Sequence, residues 1–261
     1  MLNIAVLVKQ VPANKSVKMN PDGTLVREGS LVINPDDLNA IEAALDIKEK
    51  YGGNITAISM GPPQAKDAII EAKAMGVDKG VLVCDPKLKG SDTWVTAKVL
   101  VASLKKLGPF DLIFAGVEAI DGNTAHVPYQ VSQLMRIPLI TQFQNLKVEK
   151  GQMITNRIKG HEFQLVRAAL PVIITANKQS NRPRYYNLRR IKHAFDEEVE
   201  ALDLKQLGID DKEVGALGSP TQVLKITQNV HKRENKKIEG TDKEIANKLI
   251  ELLTRNNLLK T

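Results

Sequence analysis

The chain has 261 residues, of which 43% are hydrophobic and 26% charged, a composition that excludes disordered and fibrous proteins. Lys and Arg outnumber Asp and Glu by 37 to 30, so the net charge of +7 permits an anionic partner without identifying one. Aromatic residues make up only 4%, and Cys84 is the single cysteine. These counts argue against a base-stacking nucleic-acid platform and exclude a disulfide framework and a cysteine-cluster metal site.

Apolar runs of strand length alternate with longer amphipathic segments over the first 140 residues. This alternation predicts a parallel sheet joined by right-handed crossovers, and therefore an α/β fold. The first apolar run is too short to cross a bilayer, so the sequence predicts a soluble, cytoplasmic protein. The predicted strands are residues 3–8, 54–60, 80–84 and 110–115, and the predicted helices are residues 37–51, residues 64–75 and one that begins at Ser91 or Asp92.

Two antiparallel additions and a polar arm accompany this pattern. Residues 17–27, with Pro21-Asp22-Gly23 at their centre, predict a β-hairpin. Residues 146–149, 153–158 and 162–168 predict an antiparallel extension, and residues 171–176 predict a fifth buried strand. Residues 178–190 are polar and basic without an amphipathic period, and a last helix is predicted near residues 242–254. The sequence thus predicts an α/β domain over residues 1–180 and, over 181–261, an arm that packs on another protein.

The carboxyl ends of the parallel strands are the expected ligand crevice, although the glycine fingerprints G-x-G-x-x-G and G-x-x-x-x-G-K-[ST] are absent from the sequence. The run from Gly116 to His126 predicts a helix start around Thr124, whose free N–H groups suit a phosphate. The alternative is a simple capped helix start, with Asp121 or Asn123 as the N-cap.

No pair of side chains stands at the spacing of a catalytic dyad or a metal site, so neither catalytic nor metal-binding residues are predicted. The sequence favours a polar helix residue over a general base for His126. It favours a buried strand residue over a nucleophile for Cys84, and a pair that interacts with the helix dipole for Asp36 and Asp37.

Several short motifs point to a known family. They are Val8-Lys9-Gln10-Val11-Pro12, Ile33-Asn34-Pro35, Ser59-Met60-Gly61-Pro62, Ala74-Met75-Gly76, Gly116 with Ala119-Ile120-Asp121, and Pro183-Arg184-Tyr185. In order and spacing the chain resembles the β (small) subunit of electron transfer flavoproteins over most of residues 1–195. Ser91-Asp92-Thr93 and the string from Gly218 to Val223 resemble the electron-bifurcating branch of that family.

The resemblance implies a Rossmann-like domain of the adenine-nucleotide α-hydrolase type, without hydrolase activity, that pairs with a larger α subunit carrying FAD. It implies a cofactor in this chain as well, either FAD that accepts electrons from NADH or, as the alternative, AMP. By position, the implied cofactor-binding residues are Leu7, Asn34, Pro35, Asp36, Met60, Ser91, Asp92, Thr93, Gly116, Val117, Glu118, Ala119, Ile120, Asp121, Gly122, Asn123, Thr124, Ala125, His126 and Val127.

The resemblance also implies partners. Redox activity is expected only in the complex with the α subunit and a flavin dehydrogenase of the acyl-CoA dehydrogenase kind, with ferredoxin as a second acceptor. The arm beyond residue 181 would wrap the α subunit. Phe195, Asp196 and Glu197 stand where family members often carry lysines. The implied docking residues are Arg184, Tyr185, Leu188, Arg189 and Arg190.

Two other functions stay open from the sequence. The first is a non-bifurcating carrier with structural AMP, which the departures from the family loop at Val117, Glu118 and His126 favour. The second is a stand-alone adenine-nucleotide-binding module, against which the long arm argues. The basic residues between Arg182 and Lys192 favour a protein-docking loop over a nucleic-acid patch, because acidic residues follow at once.

Overall fold

The computed structural model describes residues 1–13, 30–159, 162–223 and 237–259. The chain divides into two compact units, Met1–Val223 and Leu224–Thr261, and each is described by itself. The boundary expected near residue 180 stays a prediction. The hairpin predicted over residues 17–27 lies outside the described residues.

Helices and strands alternate through the first unit, and one further helix lies in the second. The strands are β1 Leu2–Leu7, β2 Gln10–Pro12, β3 Leu31–Ile33, β4 Gly53–Met60, β5 Lys79–Val83, β6 Leu112–Gly116, β7 Leu139–Thr141, β8 Phe143–Glu149, β9 Gln152–Lys159, β10 Glu162–Ala169, β11 Val172–Ala176 and β12 Glu200–Leu202. The helices are α1 Pro35–Tyr51, α2 Lys66–Met75, α3 Thr93–Leu107, α4 Val127–Met135, α5 Leu188–Asp196, α6 Leu204–Leu207, α7 Gly215–Gly218 and α8 Asp242–Arg255.

A seven-stranded sheet in the order β12-β5-β4-β1-β6-β11-β7 forms the centre of the first unit. All its neighbouring strands are parallel, which confirms the predicted α/β fold. The predicted buried strands correspond to β1, β4, β5, β6 and β11. Sequence reasoning missed β7 and β12, because three-residue strands are too short to show a pattern.

Helices cover both faces of this sheet. Ile41 and Leu45 of α1 pack with Ile4 and Ile55 on one face, where α2 also lies. The other face carries α3, whose Val99 and Leu104 are buried in a second cluster, together with α4. Long apolar runs are therefore read correctly as strands, because parallel strands between two helical layers are buried on both sides.

The antiparallel extension is confirmed as a three-stranded sheet in the order β10-β9-β8. Lys150 and Gly151 join β8 to β9 with φ angles of 49° and 72°, as a two-residue turn of type I′ requires. Met153 on its inner face is buried against the helix-covered core of α1, whereas Phe163 on the outer face is 76% exposed.

Two readings from the sequence are wrong at the level of local structure. Leu188–Asp196 forms a helix, and the absence of an amphipathic period over residues 178–190 did not reveal it, because that stretch includes only the first three residues of the helix. Cys84 follows β5 and is only partly buried rather than lying within the strand. Burial, together with the negative charge of Asp85, raises the pKa of its thiol, which makes it a poor nucleophile at neutral pH.

The second unit contains the predicted last helix, α8. The Glu244 carboxylate accepts hydrogen bonds from the Thr241 backbone N–H at 2.9 Å and from the Thr241 hydroxyl at 3.0 Å, which is part of a capping box. Among the residues that the structure describes, no helix is long and apolar enough to cross a membrane.

Candidate functional site

The strand order creates a crevice at the centre of the parallel sheet. β1 and β6 are neighbours, but the helix that follows β1 in the chain, α1, and the helix that follows β6, α4, lie on opposite faces. The loops after these two strands must therefore diverge, and a ligand can enter between them. This position at the carboxyl ends of β1 and β6 is the one predicted from the sequence.

Asp37, on the first turn of α1, joins the two strand ends. Its Oδ2 accepts a hydrogen bond from the Lys9 backbone N–H at 2.8 Å, and its Oδ1 accepts one from the Gly116 N–H at 3.1 Å. The Asn34 side-chain amide donates a third bond to Oδ1 at 3.1 Å. Burial raises the pKa of Asp37 to about 7, although these three hydrogen bonds oppose the shift. The sequence suggested only that Asp37 interacts with the helix dipole. The structure shows that it also joins the ends of two strands.

Gly116 is required by this arrangement. A Cβ atom built at Gly116 would lie 2.3 Å from the Asp37 Oδ1 and 2.9 Å from the Asp36 Cβ. The end of β6 can approach α1 this closely only because glycine has no side chain. Gly116 was in the predicted site, but its role here is to admit the Asp37 carboxylate.

Asn34 and Lys9 fasten the loop that follows Gly116. Asn34 donates from its side-chain amide to the Glu118 carbonyl at 2.8 Å and accepts from the Ile120 N–H at 3.1 Å. The Lys9 ammonium pairs with Asp121 at 2.7 Å, and the Asp121 side chain is only 1% exposed. The structure therefore brings five predicted residues together with Lys9 and Asp37, namely Asn34, Gly116, Glu118, Ile120 and Asp121. Sequence reasoning did not include Lys9 and Asp37 in the site, although Lys9 stands in one of the family motifs and Asp37 follows another by two residues.

The turn that precedes α4 has an unusual backbone. Asn123 and Ala125 have φ angles of 50° and 53°, a region that costs non-glycine residues about 1–2 kcal/mol each. His126 follows in right-handed helical geometry as the N-cap, and its side chain makes no capping hydrogen bond. A left-handed residue followed by a right-handed one turns successive N–H groups to one side, which creates an anion-binding concavity. Strain of this kind is typical of ligand sites.

The helix start itself differs from the prediction. α4 begins at Val127 with Pro128 in its first turn, three residues later than the start expected around Thr124. Neither Asp121 nor Asn123 is the N-cap, so the alternative reading is wrong as well. The reason is that the Asp121 carboxylate is already engaged, by the Lys9 ammonium and by the Gly122 N–H at 2.8 Å.

Charge is unevenly distributed around the crevice. Burial raises the pKa of Asp36 and the negative charge of Glu118 adds to the rise, whereas hydrogen bonds from the Glu118 and Lys178 backbones and the charge of Lys178 lower it. The carboxylates on this side disfavour a phosphate, and Lys178 offsets part of their charge. The N–H groups of residues 125–127 lie at the start of α4, where the helix dipole favours an anion.

Two buried oxygen atoms fit a cofactor at the same sheet edge. Gln10 Oε1 and Ser59 Oγ are buried, and neither has a hydrogen-bond partner within the described part of the chain. Ser59 is completely buried, and Gln10 is 3% exposed. Gln10 follows the carboxyl end of β1, and Ser59 lies at the carboxyl end of β4. Buried polar atoms are normally paired, so the hydroxyl and amino groups of a nucleoside fit these positions.

The remaining predicted cofactor residues differ in how they can contribute. Leu7 is buried in the core under α3, so its backbone is the part available to a ligand. Pro35 is exposed at the start of α1, and Met60 is partly buried at the end of β4. The other loop members range from partly buried to exposed, and they are Val117, Ala119, Gly122 and Thr124.

Ser91 and Asp92 hold a segment from the end of the first unit. The Ser91 hydroxyl donates to the Leu88 carbonyl at 2.7 Å and accepts from the Gly215 N–H at 3.2 Å. Asp92 caps α3 by accepting from the Val95 N–H at 3.0 Å. Its other oxygen accepts from the Thr221 hydroxyl at 2.6 Å and from the Thr221 N–H at 3.1 Å.

Further contacts fix this junction. The Asp92 N–H donates to the Ser219 hydroxyl at 2.8 Å, and the Gln130 side-chain amide donates to the Thr93 hydroxyl at 3.2 Å. Burial alone would raise the pKa of Asp92, but hydrogen bonds from Thr221 and from the first turn of α3 outweigh it and lower the pKa. The two segments that resembled the bifurcating branch thus lie against each other.

The predicted docking residues divide into inward-facing and outward-facing side chains. The Arg184 guanidinium binds Glu42 through Nε and Nη2 at 2.9 and 3.0 Å, and it binds Glu49 through Nη1 at 2.5 Å. Arg190 donates to the Met75 carbonyl at the end of α2 at 2.9 Å. Tyr185 and Leu188 are 98% and 83% exposed.

Tyr186 adds a third inward contact, through its hydroxyl to the Glu71 carboxylate. Burial, followed by this contact with Glu71, raises the pKa of the Tyr186 phenol. Arg189 is exposed, and its N–H donates to the Asn187 side chain that caps α5. In residues 1–13, 30–159, 162–223 and 237–259, no group of three or more His, Cys, Asp or Glu side chains is placed to hold a metal ion.

Comparisons with known proteins agree with this architecture. The model of the electron transfer flavoprotein domain matches residues 22–207, well over half of the chain. The chain is 40% identical to the electron transfer flavoprotein subunit beta of Clostridium acetobutylicum over 247 residues, which is 94% of this chain and 95% of that protein. It is 39% identical to the subunit of the same name from Thermoanaerobacterium thermosaccharolyticum over 261 residues, 99% and 100% of the two chains. It is 36% identical to the caffeyl-CoA reductase-Etf complex subunit CarD of Acetobacterium woodii over 262 residues, again 99% and 100%. The chain therefore belongs to the electron transfer flavoprotein family, among its β subunits.

Proposed function

We propose that this chain binds FAD in the crevice between β1 and β6 and works in a heterodimer with an α subunit that carries a second FAD. It accepts electrons from NADH and divides them between ferredoxin and a flavin dehydrogenase of the acyl-CoA dehydrogenase kind. The family membership supports the coarser part, an electron transfer subunit of a flavoprotein. The finer part rests on the geometry of the site.

The observation that carries the proposal is the strained turn before α4. Asn123 and Ala125 both adopt positive φ angles, and the adjoining loop is held by Asn34, Lys9 and Asp37. A loop that needed only to connect two elements would relax to a lower-energy backbone. Preorganised N–H groups at a helix start are the usual device for holding a phosphate. We therefore assign the cofactor phosphates to residues 125–127.

The junction of Ser91 and Asp92 with the segment from Gly215 to Thr221 favours FAD over AMP. These contacts place the end of the first unit beside the start of α3. The start of α3 in turn lies next to α4, because Thr93 accepts a hydrogen bond from Gln130. This edge can extend the site beyond the length of a mononucleotide. A relative named as part of a caffeyl-CoA reductase-Etf complex is consistent with an acyl-CoA-type partner.

When bound, FAD would supply the exchange of electron pairs and single electrons. The residues of this chain then bind and orient it. The N–H groups of residues 125–127 hold the phosphates, and Gln10 and Ser59 offer buried oxygens to hydroxyl or amino groups. Asp37 maintains the spacing of the two strand ends. No side chain of the described residues is required to act as an acid or a base.

A second candidate is a carrier in which this site holds AMP. The specific observation in its favour is the pair of carboxylates Asp36 and Glu118 on one side of the crevice. Their negative charge disfavours the additional phosphate of a dinucleotide on that side. In this case the chain would be structural, and electrons would pass only through the FAD of the α subunit.

The cofactor content of the purified heterodimer distinguishes the two functions. The complex is denatured, and the released FAD and AMP are counted per heterodimer. Two FAD molecules, with one reduced rapidly by NADH in stopped-flow absorbance, support bifurcation. One FAD and one AMP refute the bifurcating function and support the carrier. Replacement of Ala125 by proline, which cannot adopt a positive φ, should abolish retention of either nucleotide in this chain.

A further inference from the structure

The helix α5 carries two strongly exposed apolar side chains. Leu188 and Phe195 are 83% and 70% exposed. They stand seven residues apart, so they share one side of the helix and are separated along it by about 10 Å. Large apolar side chains exposed in a pair are typical of binding surfaces.

An adjoining face of α5 is fixed to the domain. Ala194 is buried, and with Ile191 it packs against Ile70 and Ala74 of α2. At the end of the helix the Glu197 carboxylate pairs with the ammonium group of Lys73, whose side chain is only 6% exposed. Leu188 and Phe195 therefore lie on a helix that is already fixed to the domain along the neighbouring face, and little order would be lost when a partner covers them.

The order of the charged residues along α5 is unfavourable for the helix dipole. Arg189 and Arg190 lie in its first turn, Lys192 follows, and Asp196 and Glu197 stand at its end. A helix dipole favours the reverse order, with acidic residues first and basic residues last. Arg190 and Glu197 are used to attach the helix to α2. Arg189 and Lys192 have exposed side chains and no such role.

We propose that Phe195 is a second apolar anchor beside Leu188, and that the dehydrogenase partner offers two apolar pockets about 10 Å apart with carboxylates facing Arg189 and Lys192. The inference rests on the function proposed above, because it identifies the surface by which that function reaches its acceptor. An acidic partner surface is expected because Arg189 and Lys192 are the exposed charges nearest to the first anchor. Asp196 at the far end of the helix repels a partner that docks in the opposite direction.

The test uses the full heterodimer and, as the probe, a purified acyl-CoA dehydrogenase from the same organism. Steady-state electron transfer is measured at varied dehydrogenase concentration to obtain KM and kcat. Phe195→Ala should raise KM about tenfold to a hundredfold with little change in kcat, the range expected for loss of one buried large apolar side chain. Phe195→Leu should recover most of the loss. Arg189→Glu with Lys192→Glu should raise KM and remove most of its dependence on salt.

Phe163→Ala is the matched control, because Phe163 is an equally exposed phenylalanine on β10. Its KM should stay at the wild-type value. If Leu188→Ala raises KM and Phe195→Ala does not, the second anchor is refuted while the proposed function stands. If neither variant changes KM, docking through α5 is refuted. If the wild-type heterodimer passes no electrons to the dehydrogenase, the proposed acceptor and the inference both fail.

Discussion

Arg184 offers a quantitative test of how α5 and the segment before it are held on the domain. Its guanidinium makes three hydrogen bonds to Glu42, whose side chain is 9% exposed, and two to Glu49, whose side chain is 60% exposed. A longer contact of 3.5 Å reaches the exposed carboxylate of Asp46. Arg184→Met keeps the length of the side chain but leaves the Glu42 carboxylate partly buried without its cation. The backbone N–H of residue 184 would still donate to Glu42, as it does now at 2.9 Å. We expect the variant to lose about 2–4 kcal/mol in the free energy of opening of this segment.

Hydrogen exchange with mass spectrometry on the heterodimer measures that free energy. Protection of the amides between residues 184 and 196 should fall by roughly 30-fold to 700-fold in Arg184→Met, since each 1.4 kcal/mol is a factor of ten. Glu49→Gln is the control, because an exposed ion pair contributes less than about 1 kcal/mol. Replacing both Arg184 and Glu42 by methionine should recover most of the protection, because no buried charge is then left unpaired.

Equal losses in Arg184→Met and Glu49→Gln would refute the reasoning, because burial would then not determine the strength of the pair. A loss below about fivefold in Arg184→Met would refute it as well. If the reasoning holds, Arg184 positions α5 without touching the partner. The KM for the dehydrogenase would then rise in Arg184→Met through disorder of α5, and the double methionine variant would restore it.

Three further predictions concern the crevice and its edge. Gly116→Ala should lower the unfolding free energy by about 1–3 kcal/mol through overpacking against Asp37, whereas Gly122→Ala, where a Cβ meets no atom within 4 Å, should be nearly neutral in the same thermal melts. Because burial raises the pKa of Asp37 to about 7, the folded chain binds more protons than the unfolded chain between about pH 4 and 7, so this group lowers stability as the pH rises through that window. Asp37→Asn should remove that slope, up to about 4 kcal/mol between pH 4 and 8 in urea titrations, and parallel curves for the two proteins would contradict the assignment. Thr221→Val should expose residues 215–223 to proteolysis while helix α3 stays capped by Asp92. Asp92→Ala should expose the same residues and also lower the stability of α3 by about 1 kcal/mol. Equal cleavage of the wild type and Thr221→Val would show that the hydrogen bond between Thr221 and Asp92 is unimportant.

The fold could be predicted from the sequence wherever one period of hydrophobicity persists. β1, β4, β5 and β6 each contain at least four consecutive buried residues, because both faces of a central parallel strand are covered by helices. The antiparallel extension was predictable because Lys150 and Gly151 mark its turn. Shorter elements were missed: β7 and β12 have three residues each, and only the first three residues of α5 lie within the stretch 178–190 that showed no period.

The sequence predicted where the candidate site lies, but not the contacts that hold it together. Motif order located the loop from Gly116 to Val127, and the switch in strand order confirms that this loop lies at the carboxyl ends of β1 and β6. The helix start at Val127 was misplaced, because the capping potential of Asp121 is used by Lys9. That ion pair joins residues 112 positions apart, so no local pattern reveals it.

What the sequence by itself determined is the class of the domain, the position of the crevice and the presence of an exposed basic segment after residue 181, because periodicity, composition and turn residues act locally. Only the tertiary structure decided which polar side chains are available. Arg184 and Arg190 looked like surface cations but are bonded to α1 and α2, and Asp37 looked like a helix-dipole residue but joins two strands. The physical reason is that a charged side chain acts through whatever lies within about 3 Å of it, and in this chain those partners are often a hundred or more residues away.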